Sequence, residues 1–377
     1  MKQSVEYEAA PKRRKLPLAV KIIYGIFALS VLLYILFWVS PDFADFFNRF
    51  ISPTVRAILA LLTNFLPCSL AELMLLLSPV ALFLALRVGI RRYSASWRDV
   101  GRFCVCLGSA AALVLSLFTF GLAPAYRGAP LDERLGIERR GVSKEDLYET
   151  ALILAERINR EAELLTYGED GFSRMPYDFG EMNDHLLDVF DTATDRYGVT
   201  DRLYSRLKPV MLSKAMSYTH ITGVYTFFTG EANLNVYFPD YTLPYTAAHE
   251  LAHQRGIARE DEANFVAFLV CEGSSQAYIR YSGYLNLYEY VVSELYSVAP
   301  ELYWEVHSAL SSAVRGEMAA FSDFFDEFRD SVAGDVSGAV NDAFLILHGT
   351  EGVRSYGMVV DLAVAYFIPA DGDTGIQ

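Results

Sequence analysis

Three long apolar segments near the N-terminus most constrain what this chain can fold into. They lie at about 16–39, 69–88 and 103–125, and each holds at most two charged residues. A helix of about 20 residues is long enough to cross the ~30 Å hydrocarbon core of a bilayer. The first segment is longer than the apolar core of a cleavable signal peptide, and no small-residue cleavage site follows it. The sequence therefore predicts three transmembrane helices, the first of them an uncleaved anchor.

The stretch between the first two segments is also apolar, but Pro67 interrupts it. We interpret residues 57–65 as an amphipathic piece on the membrane surface rather than as a further span. Glu72 lies near the start of the second segment. Because a charge is costly at the centre of a bilayer and tolerated near its surface, we expect the Glu72 side chain among the lipid headgroups, with a buried polar role as the alternative.

The basic residues predict the orientation of the three helices. A basic cluster at residues 12–15 precedes the first segment, whereas only Arg49 and Arg56 are basic between the first and the second. Five arginines lie between the second and the third: Arg87, Arg91, Arg92, Arg98 and Arg102. Because basic loops stay in the cytoplasm, we expect a cytoplasmic N-terminus in a multi-pass cell-membrane protein, with residues 126–377 outside.

Charge divides the chain at the same point. Residues 1–125 hold 13 basic and 6 acidic residues, and residues 126–377 hold 19 basic and 40 acidic ones. So acidic a domain argues against nucleic acid as a partner and against adhesion to anionic lipid. It is compatible with cationic peptides as ligands, although a solvated acidic surface is the better explanation. Of four cysteines only Cys271 follows residue 125, which excludes a disulfide scaffold.

A His-Glu-x-x-His motif, His249 to His253, is the strongest chemical signal in the acidic part. Pro244 suits the first turn of a helix and Gly256 suits its end, so the motif is predicted to be helical. At 3.6 residues per turn the two histidines share one face, where they can bind one zinc ion. Glu250 then lies beside the metal, where it can accept a proton from a zinc-bound water.

The third metal ligand is left open between two glutamates. Gly256 fits the longer motif of the metzincin peptidases, but Arg259 occupies the position of their third histidine and cannot bind a metal. The next helix begins with Glu260 and Glu262, either of which could supply a carboxylate. Residues 260–264 resemble the Glu-x-x-Ala-Asp helix of zinc peptidases that use glutamate, with Asn264 in place of the aspartate. That resemblance favours Glu260.

Three ordered stretches carry a further resemblance: TGEANLN at 229–235, HELAHQRGIA at 249–258 and EDEAN at 260–264. Together they resemble the bacterial membrane proteins grouped as domain of unknown function 3810, over most of the chain. The resemblance implies a zincin-like metallopeptidase and brings no established substrate with it.

The acidic part, residues 126–377, is predicted to be one mainly α domain with a small β-hairpin. Residues 221–228 and 234–238 are rich in β-branched and aromatic residues and flank a turn-like segment at 229–233. We expect this hairpin either to bind an extended substrate along its edge or to cover the metal helix. In the turn, Glu231 and Asn233 either orient a metal-bound histidine or are simply polar loop residues. Helices are expected at 181–197, 202–208, 262–281, 285–297, 303–315, 318–332 and 337–347.

A loop at 352–357 supplies one more candidate. Tyr356 could stabilise the oxyanion formed during hydrolysis, as a preorganised hydroxyl donor can. His185, His220 and His348 are interpreted as ordinary surface or core histidines.

The sequence as a whole predicts a membrane-anchored zinc peptidase: a three-helix membrane anchor, residues 1–125, and an α+β, zincin-like domain outside the membrane. Its expected partners are a lipid bilayer and a peptide or protein substrate. Two alternatives stay open: a membrane sensor or scaffold with a structural metal site, and a hydrolase or amidase that acts on cell-wall peptide. The substrate and the oligomeric state are not determined by these patterns.

Overall fold

The computed structural model describes residues 15–93, 96–193, 203 and 205–369 of the chain. Within those residues the protein is mainly helical, with a small three-stranded mixed sheet. The predicted class, mainly α with a small hairpin, is confirmed at that level.

Five helices form the front of the chain: α1 (Leu18–Val39), α2 (Pro41–Phe50), α3 (Ser52–Asn64), α4 (Leu70–Tyr93) and α5 (Trp97–Gly121). Of these, α1, α4 and α5 are long and apolar enough to cross a membrane, as predicted. The third was expected at 103–125; it begins at Trp97, where Ser96 accepts a hydrogen bond from the Asp99 amide. Of the basic cluster at 12–15, only Lys15 is among the described residues.

Helices α2 and α3 form a short hairpin between α1 and α4. One face of α3 is buried, through Ser52, Arg56, Ala60 and Thr63. The other face exposes Ile58, Leu61 and Leu62, which follow a helical repeat. Residues 57–65 are therefore amphipathic as predicted, and their polar face packs against protein rather than facing water.

Eleven further helices lie within the described residues: α6 (Leu131–Leu135), α7 (Lys144–Ala162), α8 (Phe179–Ala193), α9 (Ser213–Ser217), α10 (Leu243–Gln254), α11 (Glu260–Glu272), α12 (Ala277–Val298), α13 (Pro300–Ala309), α14 (Ser312–Phe325), α15 (Val332–Leu347) and α16 (Val359–Phe367). The main core gathers around α10, α11 and α12. In α11 every residue as far as Cys271 is buried, so this helix runs through the middle of the domain.

Several predicted helix boundaries were wrong. A helix was expected at 202–208, but the described residues 205–207 are irregular and Lys208 begins a strand; residues 202 and 204 lie outside the described part. The helix expected at 303–315 is two helices, because Leu310 is extended and Ser311 caps α14 through the Val314 amide.

The sheet consists of β1 (Lys208–Pro209), β2 (Gly223–Thr226) and β3 (Glu231–Leu234), in the order β1-β3-β2. Strands β2 and β3 form the predicted hairpin, and β1 pairs with β3 in parallel. The predicted second strand, 234–238, was placed too late along the chain. The turn ends at Gly230, which has a left-handed backbone (φ 73°) and donates its amide to Thr226, so pairing starts at residue 231.

Two carboxylates join the apolar helices to the sheet region. Glu231 accepts hydrogen bonds from the amides of Leu70 and Ala71 at 3.0 and 3.1 Å, at the start of α4. In return Glu72 accepts from the amides of Met211 and Leu212, both at 2.8 Å. Glu72 is therefore buried in a protein contact and not among lipid headgroups as expected.

Candidate metal centre

Helix α10 carries the motif and has the predicted ends. Pro244 lies in its first turn and Gly256, with φ 89°, lies just beyond its last turn. The Gly256 carbonyl accepts a hydrogen bond from Asn48 Nδ2 at 3.0 Å. A Cβ on Gly256 would stand 2.7 Å from Nη2 of Arg56, which is fully buried. Glycine is therefore required here both for its backbone angle and for the close approach of α3.

Three side-chain atoms converge between α10 and α11. Nε2 of His249 and Nε2 of His253 are 2.9 Å apart. Oε2 of Glu260 lies 3.2 Å from the first and 3.4 Å from the second. Among the described residues, this is the one group of three or more His, Cys, Asp or Glu side chains close enough to share a metal ion.

The charges of this group suit a cation. Burial alone would lower the pKa of His253, but the carboxylate of Glu260 outweighs it and raises that pKa to about 9. For Glu260, burial alone would raise the pKa, but the positive charges of the two histidines and their hydrogen bonds hold that pKa far below its usual range. The two imidazole Nε2 atoms, 2.9 Å apart, are close enough to share one proton or to bind one metal ion. Two imidazole nitrogens with one carboxylate oxygen are ligands that zinc accepts.

The second ring nitrogens of the histidines differ. Nδ1 of His253 lies 2.8 Å from the carbonyl oxygen of Ile257, which directs Nε2 of that ring toward Glu260. Nδ1 of His249 is buried, and no described residue forms a hydrogen bond with it. Asn264, where the resembling helix has aspartate, instead donates to Tyr290 at 3.3 Å.

Glu262 does not join the cluster. Its carboxylate accepts hydrogen bonds from Arg259 at 2.8 Å and from the Leu131 amide at 3.0 Å. Residues two positions apart on a helix are rotated by about 200° around its axis, so Glu260 and Glu262 point to opposite sides of α11. The geometry therefore favours Glu260 as the third ligand. Arg259, the residue that departs from the metzincin pattern, also donates to the Tyr126 carbonyl just beyond α5.

Glu250 lies on α10 between the two histidines, with its carboxylate against strand β2. The side chain is buried, and its Oε2 has no hydrogen-bond partner in the described part of the chain. Burial raises the pKa of this carboxyl; the two histidines and a hydrogen bond from the Tyr225 amide oppose that shift. A Cβ on Gly223 would stand 2.6 Å from Oε1 of Glu250, so the carboxylate fits only beside glycine. Gly223 was not singled out from the sequence, although an isolated glycine in a strand often marks such an approach.

Strand β2 turns one edge away from the sheet and toward Glu250. The amide of Asn235 donates to the Thr222 carbonyl, so Thr222 and Asn235 form a hydrogen-bonded pair of the antiparallel ladder. Along such a ladder, hydrogen-bonded pairs alternate with pairs whose backbone groups point away from the partner strand. With Val224 opposite Asn233, the backbone groups of Gly223 and Tyr225 must then point away from β3. The hydrogen bond from the Tyr225 amide to Glu250 agrees with this direction.

The remaining candidates lie elsewhere. Glu231 caps α4, and Asn233 donates to the Val224 carbonyl and to Thr226, so neither contacts a histidine of the cluster. The backbone of Tyr356 ends the 3-10 helix Gly352–Tyr356; its side chain is outside what the structure describes. His185, His220 and His348 are not part of the cluster.

Two tyrosines that the sequence did not single out lie near the cluster. Burial, together with the negative charge of Glu260, raises the pKa of Tyr126 far above its usual range. The pKa of Tyr290 is raised to about 12 by burial and by the charges of Glu289 and Glu260. With 24 tyrosines in the chain, no local sequence signal distinguishes these two.

The fold and the site together define a mainly helical protein with three candidate membrane-crossing helices and a buried His-His-Glu cluster. The chain belongs to the family described as "Protein of unknown function (DUF3810)", whose model matches residues 47–364. The searches of curated proteins and of solved structures returned no match.

Proposed function

We propose that this protein is a membrane-anchored zinc metallopeptidase with His249, His253 and Glu260 as metal ligands. The observation that carries the proposal is the convergence of these three side chains directly beside the buried carboxylate of Glu250. Zinc bound there would polarise a scissile carbonyl and make a water molecule more acidic. The family assignment is compatible with this activity and does not itself supply one.

The chain's own residues divide the work in this proposal. Glu250 accepts the proton of the attacking water and later delivers it to the leaving amine nitrogen. Gly223 and the Tyr225 amide hold the Glu250 carboxylate against β2. A loss of either contact would move the proton acceptor relative to the metal ligands, and catalysis is sensitive to shifts of about 1 Å.

The edge of β2 beside Glu250 offers a place for an extended peptide. Backbone groups of Gly223 and Tyr225 face away from β3 there; the Tyr225 amide already donates to Glu250, so a peptide would pair with the backbone of Gly223. A peptide that pairs with this edge would bind through main-chain hydrogen bonds, which tolerate many sequences. The acidic composition of residues 126–377 favours peptides with basic residues.

The number of ligands bears on the two alternatives. A structural zinc site, as in a sensor or scaffold, is closed by four protein ligands, whereas a catalytic site has three and keeps one position open. Glu262, the other glutamate weighed as a ligand, instead accepts hydrogen bonds from Arg259 and from the Leu131 amide. This supports the catalytic interpretation. Cell-wall peptides would be cleaved by the same chemistry and are one class of substrate within it.

We further propose that the metal centre faces the outside of the cytoplasmic membrane. The C-terminal ends of α1 and α5 and the N-terminal end of α4 all contact the domain. The Arg127 guanidinium lies over the ring of Trp38, the ring of His348 lies 4.8 Å from that of Phe118, and the Leu70 amide donates to Glu231. Those three ends leave the membrane on one side, which the basic loops assign to the outside. A cysteine at exposed Glu169 should react with an impermeant thiol reagent on intact cells; reaction only after lysis would contradict the orientation.

The experiment for the activity uses the full-length protein in lipid nanodiscs. Metal content is measured first, and a peptide library is then incubated with the protein and analysed by mass spectrometry. We expect about one zinc per chain and cleavage that a chelator abolishes and added zinc restores. A zinc-loaded protein that cleaves no library peptide would favour the structural interpretation.

A further inference from the structure

Helix α15 (Val332–Leu347) exposes an unusually broad apolar face. Its buried residues are Gly334 and Leu345, which lie on one side of the helix. At about 100° per residue, the exposed residues on the opposite side form an arc of roughly 120°. All of them are apolar: Val332, Val336, Ala339, Val340, Ala343, Ile346 and Leu347. Val332, Val340 and Leu347 are 76%, 66% and 69% exposed. Such an apolar face marks an interaction surface.

The C-terminal end of α15 packs on the end of the third apolar helix. The ring of Phe344 lies 5.9 Å from that of Phe118 in α5, and the ring of His348 lies 4.8 Å from it. Both also contact Tyr126, which follows α5 directly. Phe118 is three residues from the end of α5, so this end of α15 lies at the level where the helix would leave a bilayer.

The N-terminal end of α15 is tied to the region around the start of α4. A Cβ on Gly334 would stand 2.5 Å from the ring of His220, so the helix lies against that histidine. His220 follows the short helix α9 (Ser213–Ser217), and the preceding amides of Met211 and Leu212 are bound by Glu72 in α4. The C-terminal end of α15 thus packs on the end of an apolar helix, and its N-terminal end contacts a histidine eight residues after the segment that Glu72 binds. This placement favours a helix that lies along the membrane surface.

We propose that α15 lies on the outer surface of the lipid bilayer, with its apolar face among the acyl chains. A lipid surface fits better than a protein partner because a second exposed apolar face lies at the same end of α5. Helix α3, which donates from Arg56 to Gly121 at the end of α5, exposes Ile58, Leu61 and Leu62 at the same end of that helix. Asp335 and Asp342 lie on one flank of the α15 arc, where headgroups and water can solvate them. This inference concerns membrane contact and does not depend on the proposed activity.

Site-directed spin labelling of the full-length protein in lipid vesicles tests the inference. Labels are placed one at a time at Val336 and Val340, with Asp335 as the neighbouring control. The parent carries serine at Cys68, Cys104 and Cys106; Cys271 is buried and stays. Collisions with molecular oxygen, which concentrates in acyl chains, are compared with collisions with a water-soluble nickel complex. An unchanged circular dichroism spectrum and gel-filtration profile show that each labelled variant is folded.

We expect the labels at 336 and 340 to be accessible to oxygen and shielded from nickel, and the label at 335 to show more nickel contact than either. Ready nickel access at all three positions would place the face in water and overturn the inference. Shielding of 336 and 340 from both reagents would mean that protein covers the face, which also overturns it.

Discussion

Oε1 of Glu250 lies so close to Gly223 that one methyl group on the glycine would come within 2.6 Å of it. A separation below 3.0 Å forces one of the two groups to move. Because the Glu250 carboxylate also receives the amide of Tyr225, any such movement would break its contact with the edge of β2. Strand β2 therefore sets the position of the proposed proton acceptor relative to the metal ligands.

Gly223→Ala should lower peptidase activity by on the order of 10²-fold, the cost of a misplacement of about 1 Å in an active site. Metal content should stay unchanged, since no ligand contacts Gly223. Gly338→Ala is the matched control, because nothing lies within 4 Å of a Cβ built there. The measurement is the chelator-sensitive cleavage rate of each variant. Equal rates for Gly223→Ala and the control would contradict this role of β2.

Removal of either histidine should abolish metal binding. His249→Ala and His253→Ala each leave two ligands, and two ligands rarely retain zinc during purification. The measurement is zinc per chain after gel filtration. His185→Ala serves as the control, because that histidine contacts Tyr177 and not the cluster. Wild-type zinc content in both ligand variants would exclude the site.

Glu260 and Glu262 should respond differently to the same change. Glu260→Gln weakens metal binding, so its activity should be low and should recover in part with excess zinc. Glu262→Gln should keep its zinc and most of its activity, because that carboxylate contacts Arg259 and the Leu131 amide. The test is zinc content and cleavage rate across a zinc titration. Metal loss from the Glu262 variant alone would show that the ligand assignment is wrong.

Glu231→Ala should destabilise the junction between the sheet and α4. Two amides at the start of α4 lose their acceptor, which costs about 1–2 kcal/mol when a capping side chain is removed. Thermal unfolding in a constant detergent should show a lower midpoint, and zinc content should be unchanged. Exposed Glu169 provides the control substitution. Loss of zinc from Glu231→Ala with an unchanged unfolding midpoint would show that Glu231 supports the metal site and not the junction.

Local signals in the sequence predicted the parts of the fold that depend on neighbouring residues. The three apolar helices follow from uninterrupted apolar runs, and α10 follows from Pro244 and Gly256 around the motif. The pairing of His249 and His253 is likewise a matter of helix period. Each of these depends on residues within one or two turns, so a single sequence contains the information.

Features that depend on distant partners were not predictable in this way. Glu72 was expected among headgroups, but its partners Met211 and Leu212 lie about 140 residues away in the chain. Glu231 was weighed as a neighbour of the motif histidines and instead caps α4. The choice between Glu260 and Glu262 needs the rotation of α11 against α10, which only tertiary packing determines.

Glu250→Gln separates proton transfer from metal binding. Glutamine keeps the shape of the side chain and removes its ability to accept a proton, while the three ligand side chains stay in place. Wild-type and variant proteins in nanodiscs are loaded to equal zinc content and incubated with the same peptide library. We expect the variant to retain zinc and to cleave the peptides more slowly by on the order of 10²-fold or more. Equal cleavage by the two zinc-loaded proteins would contradict this expectation.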